Sequence, residues 1–318
     1  MKRLDELLTQ AVTDGVFPQA SYAVGNTEVM SLGGEVDTPF DLASLTKVIA
    51  TTPCVLRLVA EGIWSLDSPW RELVPEVPME FESVCLRDVL CHRAGYLPHR
   101  RLDLEHATPA DAWAALVREK PASPPNSEVQ YSCLGFLLLG LAVERAVERP
   151  FSDFALEVLS PLLFCYSTCK GAAPTEGLEG IVHDENARFL RPNTGNAGLF
   201  GNAANVGLFA QSVLRSLVRG ESAFGVPPNL WRIATTRKAG SRALGWDTKS
   251  EGSSAGSDFG DHSFGHTGFT GTSIWIDPDA AVFSVLLTNR VHPTRNNEAI
   301  KEVRPLFKSP AHRQVGLM

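Results

Sequence analysis

Apolar residues recur every three or four positions in the first fifteen residues of the chain. One face of a predicted amphipathic helix that ends near Gly15 is marked by Leu4, Leu7, Leu8, Ala11 and Val12. Residues 20–25 and 27–32 are then short strand-like runs joined around a Gly-Asn pair, which predicts an antiparallel hairpin. The chain is therefore expected to begin with a helix and to enter a sheet directly after it.

Apolar residues are spaced as in helices in the middle of the chain and as in strands in its last third. Helices are predicted over residues 86–91, 109–120, 134–148, 151–159 and 203–219. Strands are predicted over residues 243–247, 263–266, 272–276 and 281–289, with a closing helix over 296–307. This order predicts an α+β fold with an antiparallel sheet. Residues 1–40 and 225–318 would form the sheet subdomain, and residues 41–224 a mainly helical subdomain, with the active site at their junction.

Composition narrows the class of protein. The chain has 318 residues, of which 44% are apolar, and 29 basic against 36 acidic residues give a net charge of −7. Basic residues form no stripe, so nucleic-acid binding is not expected. The longest apolar stretch, residues 134–143, is too short to span a bilayer, and charges interrupt the N-terminal helix. We expect a cytoplasmic globular enzyme without a membrane partner.

Neither the cysteines nor the histidines have the sequence spacing that is typical of metal ligands. His262 and His266 are four residues apart, but glycines and a strand pattern surround them instead of a helix. No two cysteines have C-x₂-C spacing, and we expect all of them to be reduced: Cys54, Cys85, Cys91, Cys133, Cys165 and Cys169. The sequence predicts neither a metal nor an organic cofactor.

The first candidate for chemistry is the motif Ser44-Leu-Thr-Lys47, which opens a predicted helix extending to Ala60 and bent at Pro53. Residues three apart share a helix face. A serine hydroxyl needs a neighbouring base, and a lysine amine acts as a base only when it is neutral. Burial can lower a lysine pKa far enough.

A second S-x-x-K match, Ser167-Thr-Cys-Lys170, runs into a glycine and has no amphipathic helix behind it. Short motifs occur by chance, so helical context decides between the two matches. We predict Ser44 as the nucleophile and Ser167 as a chance match.

Two further segments are candidates. Tyr131-Ser-Cys133 precedes a predicted helix, and Gly265-His-Thr-Gly268 precedes a strand. Each has an ordinary alternative, a buried hydrogen-bonded tyrosine for the first and a loose glycine-rich turn for the second. Glycine also allows a backbone to approach a ligand closely.

In this order, the three segments resemble the S-x-x-K, Y-x-N and K/H-T-G motifs of the serine β-lactamase, penicillin-binding protein and related esterase superfamily. The tyrosine motif looks closer to class C β-lactamases and their esterase-like relatives. Residues 61–67 and 90–95 also look like stretches of this superfamily. The resemblance implies a β-lactamase/transpeptidase-like fold, in which helices flank an antiparallel sheet and a helical subdomain is inserted.

The resemblance implies roles for individual residues. Ser44 would be the acylated nucleophile, Lys47 the general base or its electrostatic partner, and Tyr131 a proton relay to the leaving group. Cys133 occupies the position of the usual asparagine, which contacts the lysine and the substrate amide in relatives. A thiol is a weak donor and a weak acceptor, so this substitution favours ester over amide turnover.

The glycine-rich segment would contribute the substrate-binding side of the site. His266 takes the place of lysine in many relatives, and we expect it to donate a hydrogen bond to substrate and to titrate near neutrality. Gly268 would let the backbone approach substrate, and the N–H groups of Ser44 and Phe269 would form the oxyanion hole. Arg290 either binds a substrate carboxylate or is a solvated surface residue.

These expectations define a serine hydrolase that cleaves a small-molecule ester, amide or peptide-like substrate through an acyl-enzyme. A β-lactamase or a D-Ala-D-Ala carboxypeptidase is the alternative within the same chemistry. A binding or sensor domain that keeps the pocket without turnover is the alternative from another class. The pair His183-Asp184 is expected to be a hydrogen-bonded structural corner instead of a catalytic dyad.

Overall fold

The computed structural model describes residues 2–190 and 194–315. Its helices are α1 Lys2–Thr13, α2 Thr52–Ala60, α3 Trp70–Leu73, α4 Leu86–Leu90, α5 Leu102–Glu105, α6 Pro109–Leu116, α7 Cys133–Val147, α8 Phe151–Leu159, α9 Glu185–Leu190, α10 Ala203–Arg219, α11 Pro228–Thr235 and α12 Ile300–Val315. Its strands are β1 Ala20–Asn26, β2 Met30–Gly34, β3 Phe40–Asp41, β4 Cys165–Tyr166, β5 Leu199–Gly201, β6 Asp247–Thr248, β7 Phe264–Thr267, β8 Ser273–Asp277 and β9 Val282–Thr288.

Strands from the two ends of the chain form one antiparallel sheet in the order β2-β1-β9-β8-β7-β6. The first and last long strands pair directly, with Ala20 opposite Thr288. A small second sheet has the order β3-β5-β4. The α+β architecture with an antiparallel sheet agrees with the prediction, whereas the proposed subdomain boundaries stay a prediction.

Apolar side chains cover both faces of the larger sheet. Tyr22 and Leu286 pack on one face with α1 and α12, and Ala23 and Val285 pack on the other with α10 and the helical region. All residues of β9 are buried, which explains why its sequence is mostly apolar, with Ser284 and Thr288 as exceptions, and does not alternate. This central strand fixes the position of β8 and, through it, of β7, which carries His266.

The predicted helix after Ser44 is confirmed, with a local irregularity. Ser44 lies in a turn, helical backbone begins at Leu45, and Lys47–Thr51 form a π-helical turn that leads into α2. The Thr52 N–H donates to the Lys47 carbonyl, the five-residue spacing of a π turn. Such widened turns recur at functional sites, and this one ends two residues before Pro53, which has no N–H to donate.

Two other predicted elements differ. The strand expected over residues 243–247 is reduced to Asp247–Thr248, because Gly245 has a φ of 79° and interrupts the extended backbone. The apolar residues before it are buried as a loop. The closing helix begins at Ile300 instead of residue 296. Within the described ranges, no helix combines the length and the apolar character that crossing a bilayer requires.

Candidate active site

Asp41, at the end of β3, holds the turn that presents Ser44. One of its carboxylate oxygens accepts the Ala43 N–H at 2.8 Å, and the other accepts the His183 N–H at 2.7 Å. Burial raises the pKa of Asp41 to about 6, although both hydrogen bonds favour the charged form. Ala43 has a φ of 47°, a left-handed conformation that this carboxylate stabilises.

Lys47 is completely buried next to Ser44. Its ammonium donates to Ser44 Oγ at 3.1 Å, to the Asn196 carbonyl oxygen at 2.9 Å and to Cys133 Sγ at 3.5 Å. Burial opposes the charge, but anionic forms of Cys133 and Tyr131 outweigh it and raise the pKa of Lys47 above its ordinary value. This direction favours the ammonium over the neutral amine that a general base requires, and of the two roles expected for Lys47 it favours the electrostatic one.

Tyr131 lies on the other side of Lys47, whose Nζ is 5.2 Å from the centre of the phenol ring. The hydroxyl is within hydrogen-bonding reach of Ser44 and Lys47. The His92 ring packs 4.6 Å from the Tyr131 ring, centre to centre, and its Nδ1 accepts the Ser132 N–H at 3.0 Å. Burial raises the pKa of Tyr131, while the Lys47 charge acts in the opposite direction.

His266, on β7, is only 4% exposed. Its Nδ1 lies 2.8 Å from the Thr267 carbonyl oxygen, and because a carbonyl only accepts, Nδ1 carries the proton and Nε2 is an acceptor. Burial, followed by the positive charges of Arg242 and Lys47, lowers the pKa of His266 well below its ordinary value. The sequence predicted a donor that titrates near neutrality, and the structure instead gives a neutral acceptor.

Gly268 directly follows β7 and allows the backbone there to approach the turn that contains Ser44. A Cβ at this position would lie 2.6 Å from the Leu42 carbonyl oxygen, and so a side chain would push the two segments apart. Thr272 Oγ1 donates to the same carbonyl at 3.0 Å. Within residues 2–190 and 194–315, the N–H groups of Ser44 and Phe269 donate no hydrogen bond. Both are therefore free to bind an oxygen of a ligand.

Most of the predicted site residues line one cavity of about 710 Å³. The predicted site residues at its wall are Ser44, Tyr131, Cys133, His266, Gly268 and Phe269. Lys47 lies behind the wall and reaches Ser44 from the protein interior. Ser167 is buried at the end of β4 and is not among the described residues that line this cavity.

Arg290 and His183 have structural contacts. The Arg290 guanidinium donates to the carbonyl oxygens of Phe269, Arg295 and Asn297 at 2.7 to 2.8 Å, and only 7% of the residue is exposed. It therefore supports the Phe269 loop and is not a solvated surface residue. His183 lies 3.0 Å from a Glu176 carboxylate oxygen, which agrees with the expected hydrogen-bonded corner.

Four neighbours of the site were not identified as site residues from sequence: Asp41, His92, His99 and Asn196. His92 lies in residues 90–95, which resemble a stretch of the superfamily, and Asn196 is the first residue of the sequence Asn196-Ala-Gly-Leu-Phe. Their roles depend on contacts between distant parts of the chain, so spacing alone carried no signal for them.

Comparison with known proteins agrees with this geometry. Residues 4–306 match the sequence model of the Beta-lactamase family. The chain is 27% identical over 303 residues to an N-acetylmuramyl-L-alanine amidase of Bacillus subtilis, covering 80% of this chain and 68% of the relative. A crystal structure of a β-lactamase from Mycobacterium bovis has a TM-score of 0.70 at 21% identity, over 96% of this chain and 98% of that one. A simvastatin synthase mutant from Aspergillus terreus has a TM-score of 0.75 at 16% identity, over 99% and 97%.

Proposed function

The chain belongs to the β-lactamase family, and from that premise we propose that it is a serine hydrolase acylated on Ser44. The observation that carries the proposal is the 3.1 Å contact between Ser44 Oγ and Lys47 Nζ at the wall of the cavity. A serine hydroxyl becomes a nucleophile when a neighbouring group takes its proton, and Lys47 and Tyr131 are the candidates beside Ser44. The test is covalent labelling of Ser44 by a fluorophosphonate.

The charged state of Lys47 supports an electrostatic role over a simple general base. An ammonium cannot accept the Ser44 proton, but it stabilises a negative charge on Tyr131. Burial raises the pKa of Tyr131, so in this mechanism the phenol first loses its own proton to solvent, and the resulting phenolate takes the Ser44 proton as the hydroxyl oxygen attacks the acyl carbon. The phenol then returns the proton to the leaving group, and a water molecule repeats the sequence to release the acid.

The two free N–H groups support the other half of the reaction. Negative charge develops on the carbonyl oxygen of the substrate as Ser44 attacks. The N–H groups of Ser44 and Phe269 would stabilise that charge, and neither must first break a hydrogen bond within the described ranges. Donors that are already oriented lower the barrier because no reorganisation accompanies the reaction.

An ester is the substrate that the site supports best. An amide nitrogen must be protonated before it leaves and benefits from a side-chain amide beside it, whereas an alkoxide leaves more readily. The Cys133 thiol replaces that side-chain amide. Comparing hydrolysis of p-nitrophenyl esters with that of nitrocefin tests this preference, and faster nitrocefin turnover would contradict it.

Cleavage of an amide is the second candidate. The Bacillus subtilis relative is named as an amidase, and this favours an amide, a peptide-like substrate or a β-lactam for this chain as well. The same comparison of substrates decides between the two candidates. Location in the cytoplasm and the absence of nucleic-acid, membrane and cofactor partners stay predictions.

Replacing Cys133 by asparagine is expected to raise nitrocefin kcat/KM relative to ester kcat/KM. The variant restores an amide next to Lys47 and removes an anionic neighbour that raises the pKa of Lys47. The basic limb that follows deprotonation of Lys47 should therefore shift to lower pH. The two kcat/KM values measured across pH are the check, and an unchanged or lower ratio would show that Cys133 does not limit substrate class.

Replacing His266 by alanine is expected to raise KM and lower kcat, with kcat/KM falling about 10-fold for the loss of one hydrogen-bond acceptor at the cavity wall. His262 provides a matched control, because its side chain is 79% exposed and pairs with Asp279 outside the cavity. His262→Ala should keep wild-type kinetics. Equal kinetics for both variants on every accepted ester would place His266 outside the binding site.

A further inference from the structure

Cys133 has three sources of positive potential around its sulfur. It is the first residue of the fifteen-residue helix α7, whose N-terminal end carries a partial positive charge. The Lys47 ammonium lies 3.5 Å from Sγ. His99 also favours the ionised form of the same sulfur. Helix N-termini, lysines and histidines are the environments that convert a thiol into a reactive thiolate.

The balance of charges around this sulfur favours the anion. Burial opposes ionisation of Cys133, but Lys47 and His99 outweigh it and lower the pKa of the thiol. The effect is reciprocal, because the hydrogen bond with Cys133 raises the pKa of His99 against the opposing effect of burial. Asp184, Glu185 and Tyr131 are acidic groups near the cluster, and the negative charge of Asp184 opposes the thiolate.

Other cysteines of the described chain are in the opposite situation. Burial raises the pKa of Cys85 to about 11, and burial likewise raises those of Cys91 and Cys169 to about 12. Cys85 is partly exposed, as Cys133 is, and thus offers a matched comparison within the same molecule. A difference in reactivity between these two would reflect ionisation more than access.

A second observation indicates that the cavity beside Cys133 is built to bind a ligand. Nε2 of His266 is buried and has no hydrogen-bond partner among the residues that the structure describes. Both His266 and Cys133 line the cavity. Because Nε2 is an acceptor, a small molecule with an amide N–H would satisfy it. An electrophile that carries an amide therefore matches both the nucleophile and the acceptor.

We propose that Cys133 is a resting thiolate and a second nucleophile of the cavity, at which small amide-bearing electrophiles modify the enzyme and stop hydrolysis. With iodoacetamide, a bond forms between Sγ and the methylene carbon as the carbon–iodine bond breaks, and iodide leaves with the electron pair. The acetamide then occupies the cavity next to Lys47. Alkylation does not depend on the proposed hydrolase function, whereas its inhibitory effect rests on that function.

The experiment measures the rate of alkylation at each cysteine by peptide mass spectrometry, with limiting iodoacetamide between about pH 6 and 9. Cys133 should react at least about 10-fold faster than Cys85 at neutral pH, and its rate should level off with rising pH while the Cys85 rate still increases. Cys85 should react about 10-fold faster for each pH unit, because its thiolate fraction rises in that proportion. His99→Gln should shift the levelling of the Cys133 rate to higher pH.

Two further measurements separate this proposal from the hydrolase function. The Ser44→Ala variant should keep fast Cys133 alkylation although it loses hydrolysis. The far-ultraviolet absorbance of a thiolate should be present in the wild type at neutral pH and reduced in Cys133→Ser. A Cys133 rate that rises with pH as the Cys85 rate does, or absorbance unchanged in Cys133→Ser, would overturn the thiolate. Full ester hydrolysis after alkylation of Cys133 would overturn the inhibitory role.

Discussion

Ser44→Ala is expected to reduce kcat for any accepted substrate by about 10⁶-fold, the loss found when the nucleophile of a serine hydrolase is removed. The hydroxyl is the atom that bonds to the substrate, and the neighbouring Lys47 cannot replace it as a nucleophile while it is an ammonium with three hydrogen-bond acceptors. Alanine fits the turn, since Asp41 holds the preceding residue through its N–H and not through Ser44. Ester hydrolysis by purified variants is the measurement.

Ser167 provides the matched control for this substitution, because it begins the second S-x-x-K match and lies away from the cavity. Ser167→Ala should keep the wild-type rate, apart from any change in the amount of folded protein. Hydrolysis at the wild-type rate in Ser44→Ala, or its loss in Ser167→Ala with the fold intact, would contradict the assignment.

Lys47→Met is expected to lower kcat/KM by about 10⁴-fold, which is the largest rate loss typical of removing general acid–base catalysis. Without the ammonium, the phenolate of buried Tyr131 loses the positive charge that stabilises it, so the Ser44 proton has no acceptor. The rate of labelling by a fluorophosphonate should fall in parallel, because it depends on the same activated serine.

Lys308 makes a suitable control for the loss of a buried lysine. It is fully buried in α12, donates to the Ser284 carbonyl oxygen at 2.8 Å and does not line the cavity. Lys308→Met likewise removes a buried lysine, although burial and the charge of Arg304 lower the pKa of Lys308 well below its ordinary value, and it should leave kcat/KM per folded molecule near the wild-type value. Comparable losses in the two variants would mean that Lys47 acts through stability and not through the chemistry.

The parts of the fold that sequence predicted are those with an uninterrupted local pattern. The long helices α8 and α10 and the buried strand β9 needed only apolar spacing and flanking turn residues. The predicted strand at residues 243–247 failed because its apolar residues are buried in a loop around Gly245, and burial without regular backbone structure leaves the same pattern. The helix that follows Ser44 and ends at Ala60 was predicted, but the π turn within it was not, because a π turn has no distinct sequence pattern.

The candidate site was only partly predictable because some of its contacts join distant segments. Lys47 donates to the Asn196 carbonyl across 149 residues, and Asp41 accepts the His183 N–H across 142. Neither contact depends on a particular spacing. The charge of Lys47 and the tautomer of His266 also follow from neighbours that only the folded chain brings together. Sequence therefore identified the residues in the cavity more readily than their protonation states.

The most direct test of the central claim is the mass of the tryptic peptide that carries a fluorophosphonate adduct after brief labelling. Ser44 lies in the peptide of residues 4–47, and Ser167 lies in the peptide of residues 146–170. We expect one adduct on the first peptide, assigned to Ser44 by fragmentation, and no adduct on that peptide in Ser44→Ala. An adduct on residues 146–170, or a labelled Ser44→Ala protein, would contradict the assignment of Ser44 as the nucleophile.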